Sequence, residues 1–392
     1  MSGRIWLPLA AFATFLLSAL STGSSLLLLL AVFLLLTLIS GAVSVLWAAK
    51  TFDLSGEMDA ATVHRGDQVT LSLRVRHRGL LPIAPVMLEI SSGADGTTRN
   101  IFLKDRPGRL QSLSMPFRAD HVGRFSPGVH AWQVEDLMGF FHIRRAVTNA
   151  DFSLLVLPIL FKTDPLTLSP GDPGSDAMAR ATEDLSAPSD IRAYQPGDPM
   201  KKIHWKLSFR KQELLVRSFD EPVLQEVLIL MDCSRPPSWG QPEAEMDIRD
   251  ALVETAASVF ADQLGADLTV HFPLFGNHPI ELENTMGLPL VMENLAMLDF
   301  SETDRFERLL TLESRRLRKV GCLVIISARL TSATVDIMTR LHHLGPTLRF
   351  YLVTWTPEDP NLQPLVSRLR QDGVEVCFVT PDATVPEAEM EP

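Results

Sequence analysis

Val227-Leu228-Ile229-Leu230-Met231, followed at once by Asp232, is an unbroken apolar run of strand length with no residue alternating toward solvent. A strand of that kind is covered on both faces, as in a parallel sheet held between helices. Downstream, residues 244–264 place Ile248, Leu252, Ala256, Val259 and Phe260 on one face of an expected helix. Further strands are expected at Asp267–Pro273, Cys322–Ile326, Arg349–Val353 and Glu375–Val379, with helices near 288–298, 304–318, 331–343 and 362–371. Such alternation predicts a doubly wound, Rossmann-like α/β domain. The acidic, proline-containing tail 381–392 is expected to be disordered.

Upstream, the pattern changes. Val69, Leu71, Leu73 and Val75 alternate with Thr70, Ser72, Arg74 and Arg76, the period of a half-buried strand. More strand-like runs follow at Val86–Ile90, Gln111–Phe117, Gly128–Val134, Phe140–Val147 and Phe152–Leu157, separated by Gly, Pro and Asp. Residues 52–161 therefore predict a small antiparallel β-sandwich, and the Pro-, Ser-, Asp- and Gly-rich stretch 163–190 a linker.

Residues 5–49 carry no charge and are broken once, at Ser21-Thr22-Gly23-Ser24-Ser25. They read as a helical hairpin within residues 1–50, with spans at about 5–20 and 26–49, since backbone in lipid must satisfy its own hydrogen bonds. Arg4 and Lys50 flank it on one side, which the excess of positive charge on cytoplasmic loops makes the cytoplasm. The expectation is a multi-pass protein of the inner membrane with its soluble domains in the cytoplasm. The competing reading is a signal peptide cleaved near Ala19-Leu20-Ser21. Three cysteines, Cys233, Cys322 and Cys377, are too few for a disulfide framework and fit a reducing compartment.

The chain carries a net charge of −11, which argues against nonspecific nucleic-acid binding. One segment departs from that balance. Positions 192–217 hold seven cations (Arg192, Lys201, Lys202, Lys206, Arg210, Lys211 and Arg217) against Asp198 and Glu213. Such a cluster attracts an anionic partner, or it pairs with the surplus carboxylates of its own domain. Tyr194, His204 and Trp205 add rings able to pack and hydrogen-bond.

The order Arg192-x-Tyr194-x-x-Gly197-Asp198-x-x-Lys201-x-Ile203-His204-Trp205-x-x-Ser208-x-Arg210 resembles the signature of the domain-of-unknown-function-58 family. Asp136-Leu137-Met138-Gly139-Phe140-Phe141 and Val156-Leu157-Pro158 extend the resemblance. It implies a bacterial membrane protein whose C-terminal domain, here 191–380, is similar to von Willebrand factor A, and whose partner is a MoxR-type AAA+ ATPase. Lys201 stands where Arg is usual in the family, and Leu207 and Phe209 replace the customary small residues. The partner-binding residues implied are Arg192, Tyr194, Gly197, Asp198, Lys201, Lys202, His204, Trp205, Lys206, Arg210 and Arg217.

An A-type domain that binds magnesium needs an Asp-x-Ser-x-Ser turn after its first strand, with further oxygen ligands from later loops. Here the turn reads Asp232-Cys233-Ser234-Arg235-Pro236, and the later strand ends Ser327-Ala328-Arg329 without a carboxylate. Asp232 and Ser234 remain weak metal candidates, and no cofactor is expected. Hydrolase chemistry centred on Asp232, or a Cys233 nucleophile with His204 as base, lacks supporting residues. No phosphate loop, dinucleotide fingerprint, HExxH or zinc-ligand spacing occurs. The sequence therefore favours a non-enzymatic, membrane-anchored interaction protein. A metal-dependent binder and a hydrolase are the alternatives.

Overall fold

The computed structural model describes residues 5–77, 86–91, 98–103, 110–136, 138–147, 153–163, 166, 190–195, 200, 203–218, 224–237, 241–275, 279–300 and 306–381. They fall into two compact units, residues 1–157 and 158–392. The expected disordered tail, apart from Pro381, and nearly all of the expected linker lie outside the described residues.

The first unit begins with two apolar helices, α1 (Trp6–Thr22) and α2 (Ser25–Thr51). Gly23, in the left-handed conformation at φ 68°, ends α1 and donates its N–H to Ala19. Of the two helices, α2 is long and apolar enough to cross a membrane. Its 27 residues span about 40 Å, against about 25 Å for the 17 of α1.

The β region comprises β1 (Phe52–Met58), β2 (Thr62–His64), β3 (Gln68–His77), β4 (Val86–Ser91), β5 (Thr98–Leu103), β6 (Leu110–Arg118), β7 (Gly123–Phe125), β8 (Gly128–Glu135), β9 (His142–Ala146) and β10 (Leu154–Leu157). Antiparallel sheets β1-β3-β6 and β5-β4-β8-β9 share one core. Leu71 and Leu73 of β3 meet Val86, Leu88 and Ile90 of β4 and Val129 and Val134 of β8 there. The alternation read from Val69 to Val75 is realised, with all four apolar residues buried.

Two features were not expected. Val45, Ala48 and Ala49 of α2 belong to the same core, so the last turns of the helix are part of the β unit; the expected division at residue 50 does not separate them. A third small sheet, β2-β10-β7, contains a parallel pair, β2 with β10, so the region is not wholly antiparallel. Those strands lie some ninety residues apart in the chain, and no hairpin constrains their direction.

The second unit begins at Pro158, earlier than the expected boundary at 161, and hydrogen bonds explain why. Its helix Pro242–Gly265 receives the chain: N–H groups of Ile159, Phe161 and Thr163 donate to Glu254 (3.3 Å), Ser258 (3.0 Å) and Asp262 (2.6 Å). Two residues of extended chain advance roughly 6.6 Å and four helical residues roughly 6 Å, so the two run in step.

In chain order the unit contains β11 (Asp190–Ala193), α3 (Trp205–Lys211), β12 (Leu215–Ser218), β13 (Leu224–Met231), α4 (Pro242–Gly265), β14 (Thr269–Leu274), β15 (Ile280–Glu283) and α5 (Leu288–Ala296). It continues with α6 (Phe306–Glu313), β16 (Val320–Ser327), α7 (Ser332–His342), β17 (Thr347–Val353), α8 (Gln363–Gln371) and β18 (Glu375–Val379). The main sheet runs β15-β14-β13-β16-β17-β18, parallel except for β15. The opening run Val227–Met231 is its buried central strand, 0–1 % exposed throughout, as a strand covered on both faces must be. β15 was not anticipated from the sequence.

Candidate interaction segment and the sheet crevice

Residues 190–195 and 203–218 form a two-stranded ribbon carrying a short helix. β11 pairs antiparallel with β12, and Tyr194 extends the ladder through its N–H to Leu214 O at 2.8 Å. Further along the chain, His204 N–H binds Leu215 O at 2.8 Å and Ile203 bridges Val216. The His204 ring then caps α3, its Nδ1 accepting the Leu207 N–H at 3.3 Å. Buried Ser208 accepts the Leu215 N–H at 2.9 Å, fixing the helix against β12.

These bonds account for His and Ser in the motif as positioning residues. They leave the opposite face of α3 outward. Trp205 and Phe209, one turn apart, are 62 % and 91 % exposed, with Leu214 beside them. With Ser208, Gln212 and Glu213 they line an open hollow of about 320 Å³. Lys206, Arg210 and Lys211 are also exposed, and no salt bridge holds them among the described residues. The alternative in which the cations serve only to pin the segment down finds no support in these three. Gly197, Asp198, Lys201 and Lys202, and the side chains of Arg192 and Arg217, lie outside the described residues. Of the residues the sequence singled out, the fold brings together Tyr194, His204, Trp205, Lys206 and Arg210.

Asp232 lies elsewhere, at the C-terminal end of β13. Strand order reverses between β13 and β16, and in open α/β sheets the crevice at such a point is where ligands bind. The Asp232 carboxylate is 5 % exposed and accepts the Ser234 hydroxyl at 2.5 Å, the Ser234 N–H at 3.1 Å and the Ser327 hydroxyl at 2.8 Å. Ser327 in turn accepts the Arg329 N–H at 2.9 Å, and the Arg329 guanidinium donates to Arg235 O. The Arg235 side chain turns away to Glu245, 3.0 Å distant. Three oxygen-bearing side chains thus meet at the crevice, one more than the sequence reading counted, and they satisfy one another. Ser327 was missed because its nearness to Asp232 arises only from the parallel pairing of β13 with β16.

Cys233 is buried and its thiol donates to Met231 O, while the His204 Nδ1 is engaged at the cap of α3.

Residues 190–276 match the family described as "Protein of unknown function DUF58", a span that takes in the ribbon, α3, the central strand and the first βαβ unit. An uncharacterized protein, YeaD, from Bacillus subtilis (strain 168) is 24 % identical over 198 residues, which cover 48 % of this chain and 49 % of that protein. The chain therefore matches about half the length of that relative. Among solved structures, Cwp6 from Clostridium difficile gives a TM-score of 0.20 at 9 % identity, covering 83 % of this chain and 49 % of that one. A cycloisomaltooligosaccharide glucanotransferase from Paenibacillus sp. gives 0.18 at 8 %, covering 84 % and 53 %. Likenesses so low support no statement about the fold.

Proposed function

We propose that this chain is a non-enzymatic interaction protein, anchored in the inner membrane by α1 and α2, that uses the face of α3 to hold a protein partner. The observation that carries the reading is the pair of outward rings, Trp205 and Phe209, on a helix whose own bonds leave no packing role for them. Large aromatics beside an Arg are the composition of interface anchors, and contiguous apolar patches are rare on surfaces that meet only water. Lys206, Arg210 and Lys211 beside them suit a partner with an acidic face. The family resemblance supplies the partner class, a MoxR-type AAA+ ATPase, and the flanking charges Arg4 and Lys50 supply the orientation, with both spans retained and the soluble units cytoplasmic.

Affinity capture from detergent-solubilised membranes, followed by identification of the co-purifying proteins, tests this. An AAA+ ATPase is expected, its recovery falling at least tenfold in a Trp205→Ala, Phe209→Ala variant that keeps the parent circular-dichroism spectrum. Equal recovery with the variant would sink the proposal.

A second reading, a magnesium-dependent ligand binder at the crevice, is favoured by the addition of Ser327 to Asp232 and Ser234. Calorimetric titration with magnesium decides it; a titration without heat removes it. The hydrolase reading gains nothing from the crevice geometry, because the Asp232 carboxylate is bonded to two serine hydroxyls.

A further inference from the structure

The antiparallel edge of the main sheet gathers a second group of side chains. His271 of β14 sits directly opposite Glu283 of β15, Glu281 lies two residues back on the same face, and Glu226 of β13 flanks the imidazole from the other side. His271 Nδ1 is 3.8 Å from Glu281 Oε1 and 3.7 Å from Glu283 Oε1, while Nε2 is 3.6 Å from Glu226 Oε2. These separations are too long for hydrogen bonds. Nδ1 is shut away from solvent and has no hydrogen-bond partner.

A buried ring nitrogen without a partner, aimed between two carboxylates, is a group whose bond is unmade. We propose that this is a site for a divalent metal ion of the zinc class, held by His271 Nδ1, Glu281 and Glu283. Imidazole and carboxylate together suit zinc, and the three ligand atoms lie within 4.8 Å of one another. Tetrahedral ligands at zinc distances stand roughly 3.4 Å apart, so the 3.7 and 3.8 Å separations need close by only a few tenths of an ångström.

The surroundings serve the same end. Glu226 Oε2 stands 3.6 Å from Nε2, on the side where a carboxylate supports metal-bound histidines. Arg316 donates to Glu281 Oε1 at 2.6 Å and orients that carboxylate. Charge points the same way: Glu226, Glu281 and Glu283 converge on one imidazole, with Arg316 the facing cation and Glu313 beside it at 3.4 Å. A dication would neutralise that excess. A cleft of about 200 Å³, lined by Glu226, Leu228, His271, Glu281, Arg316 and Val320, leaves room for water or a small ligand at a fourth position.

The test uses full-length protein in detergent, stripped with a chelator and titrated with zinc, with retained metal counted by elemental mass spectrometry. One equivalent per chain is expected, and His271→Ala or Glu283→Gln should each weaken retention at least tenfold. X-ray absorption at the zinc edge should show a nitrogen and oxygen shell without sulfur, which separates the site from the cysteines. Glu283→Gln is isosteric, so it decides the matter even if the histidine variant fails to fold. Failure of the folded wild-type protein to retain zinc would overturn the proposal, as would zinc retained undiminished by Glu283→Gln or lost only on Asp232→Asn.

Discussion

Two groups of polar side chains on one sheet differ in how their hydrogen bonds close. At the crevice, Asp232 is nearly shut from solvent and its oxygens are taken by Ser234 and Ser327, a set that is complete within itself. At the edge, His271, Glu281 and Glu283 approach without bonding, and a buried nitrogen is left over. A buried polar group stabilises a fold only when its bonds are made, so the first group adds stability as it stands and the second leaves a bond unmade.

The comparison can be broken most directly at Asp232. Asp232→Ala removes the acceptor of two hydroxyls in a buried crevice and is expected to lower stability by about 2–3 kcal/mol, against less than about 1 kcal/mol for Glu283→Gln at the half-exposed edge. Urea unfolding of the detergent-solubilised protein measures both. Similar costs at the two sites would erase the distinction. Ser327→Ala, which leaves one Asp232 oxygen short of a donor, should fall between them, at about 1 kcal/mol.

Acid sharpens the contrast with the smallest effect. The Arg316 bond depresses the Glu281 pKa, so its contribution to stability is complete above the unfolded carboxylate value and is lost as pH falls through the lower folded value. Arg316→Ala should therefore lower the unfolding midpoint slightly near neutrality, and the two proteins should converge as pH falls below about 4.5, where carboxylates titrate. A midpoint that falls equally in both proteins between pH 5 and 3 would detach Arg316 from the edge group. Because Glu281 is 43 % exposed, solvent screening keeps the effect modest.

Most of the fold was legible because its signals are local. Val227–Met231 announces a two-sided strand by composition, Val69–Val75 a one-sided strand by alternation, and residues 5–49 announce apolar helices by the absence of charge. β15 escaped notice because Ile280-Glu281-Leu282-Glu283 is a four-residue edge strand, too short and too polar to stand out. The basic, aromatic segment was legible as chemistry but not as roles. His204 and Ser208 hold the helix in place, and Trp205 and Phe209 face outward, a division that no spacing rule reveals.

What the sequence determined by itself was the order of architectures, apolar helices and then β and then α/β, and the single basic, aromatic segment between the last two. Propensity, periodicity and charge are properties of neighbouring residues and can be read along the chain. Tertiary structure decided which distant residues meet: Ser327 with Asp232 through parallel pairing, His271 with Glu281 and Glu283 through an antiparallel edge, and Val45 and Ala48 with a sandwich core. Those meetings depend on strand register and on what each face must cover, and a shift of one residue would turn every one of those strand side chains to the opposite face.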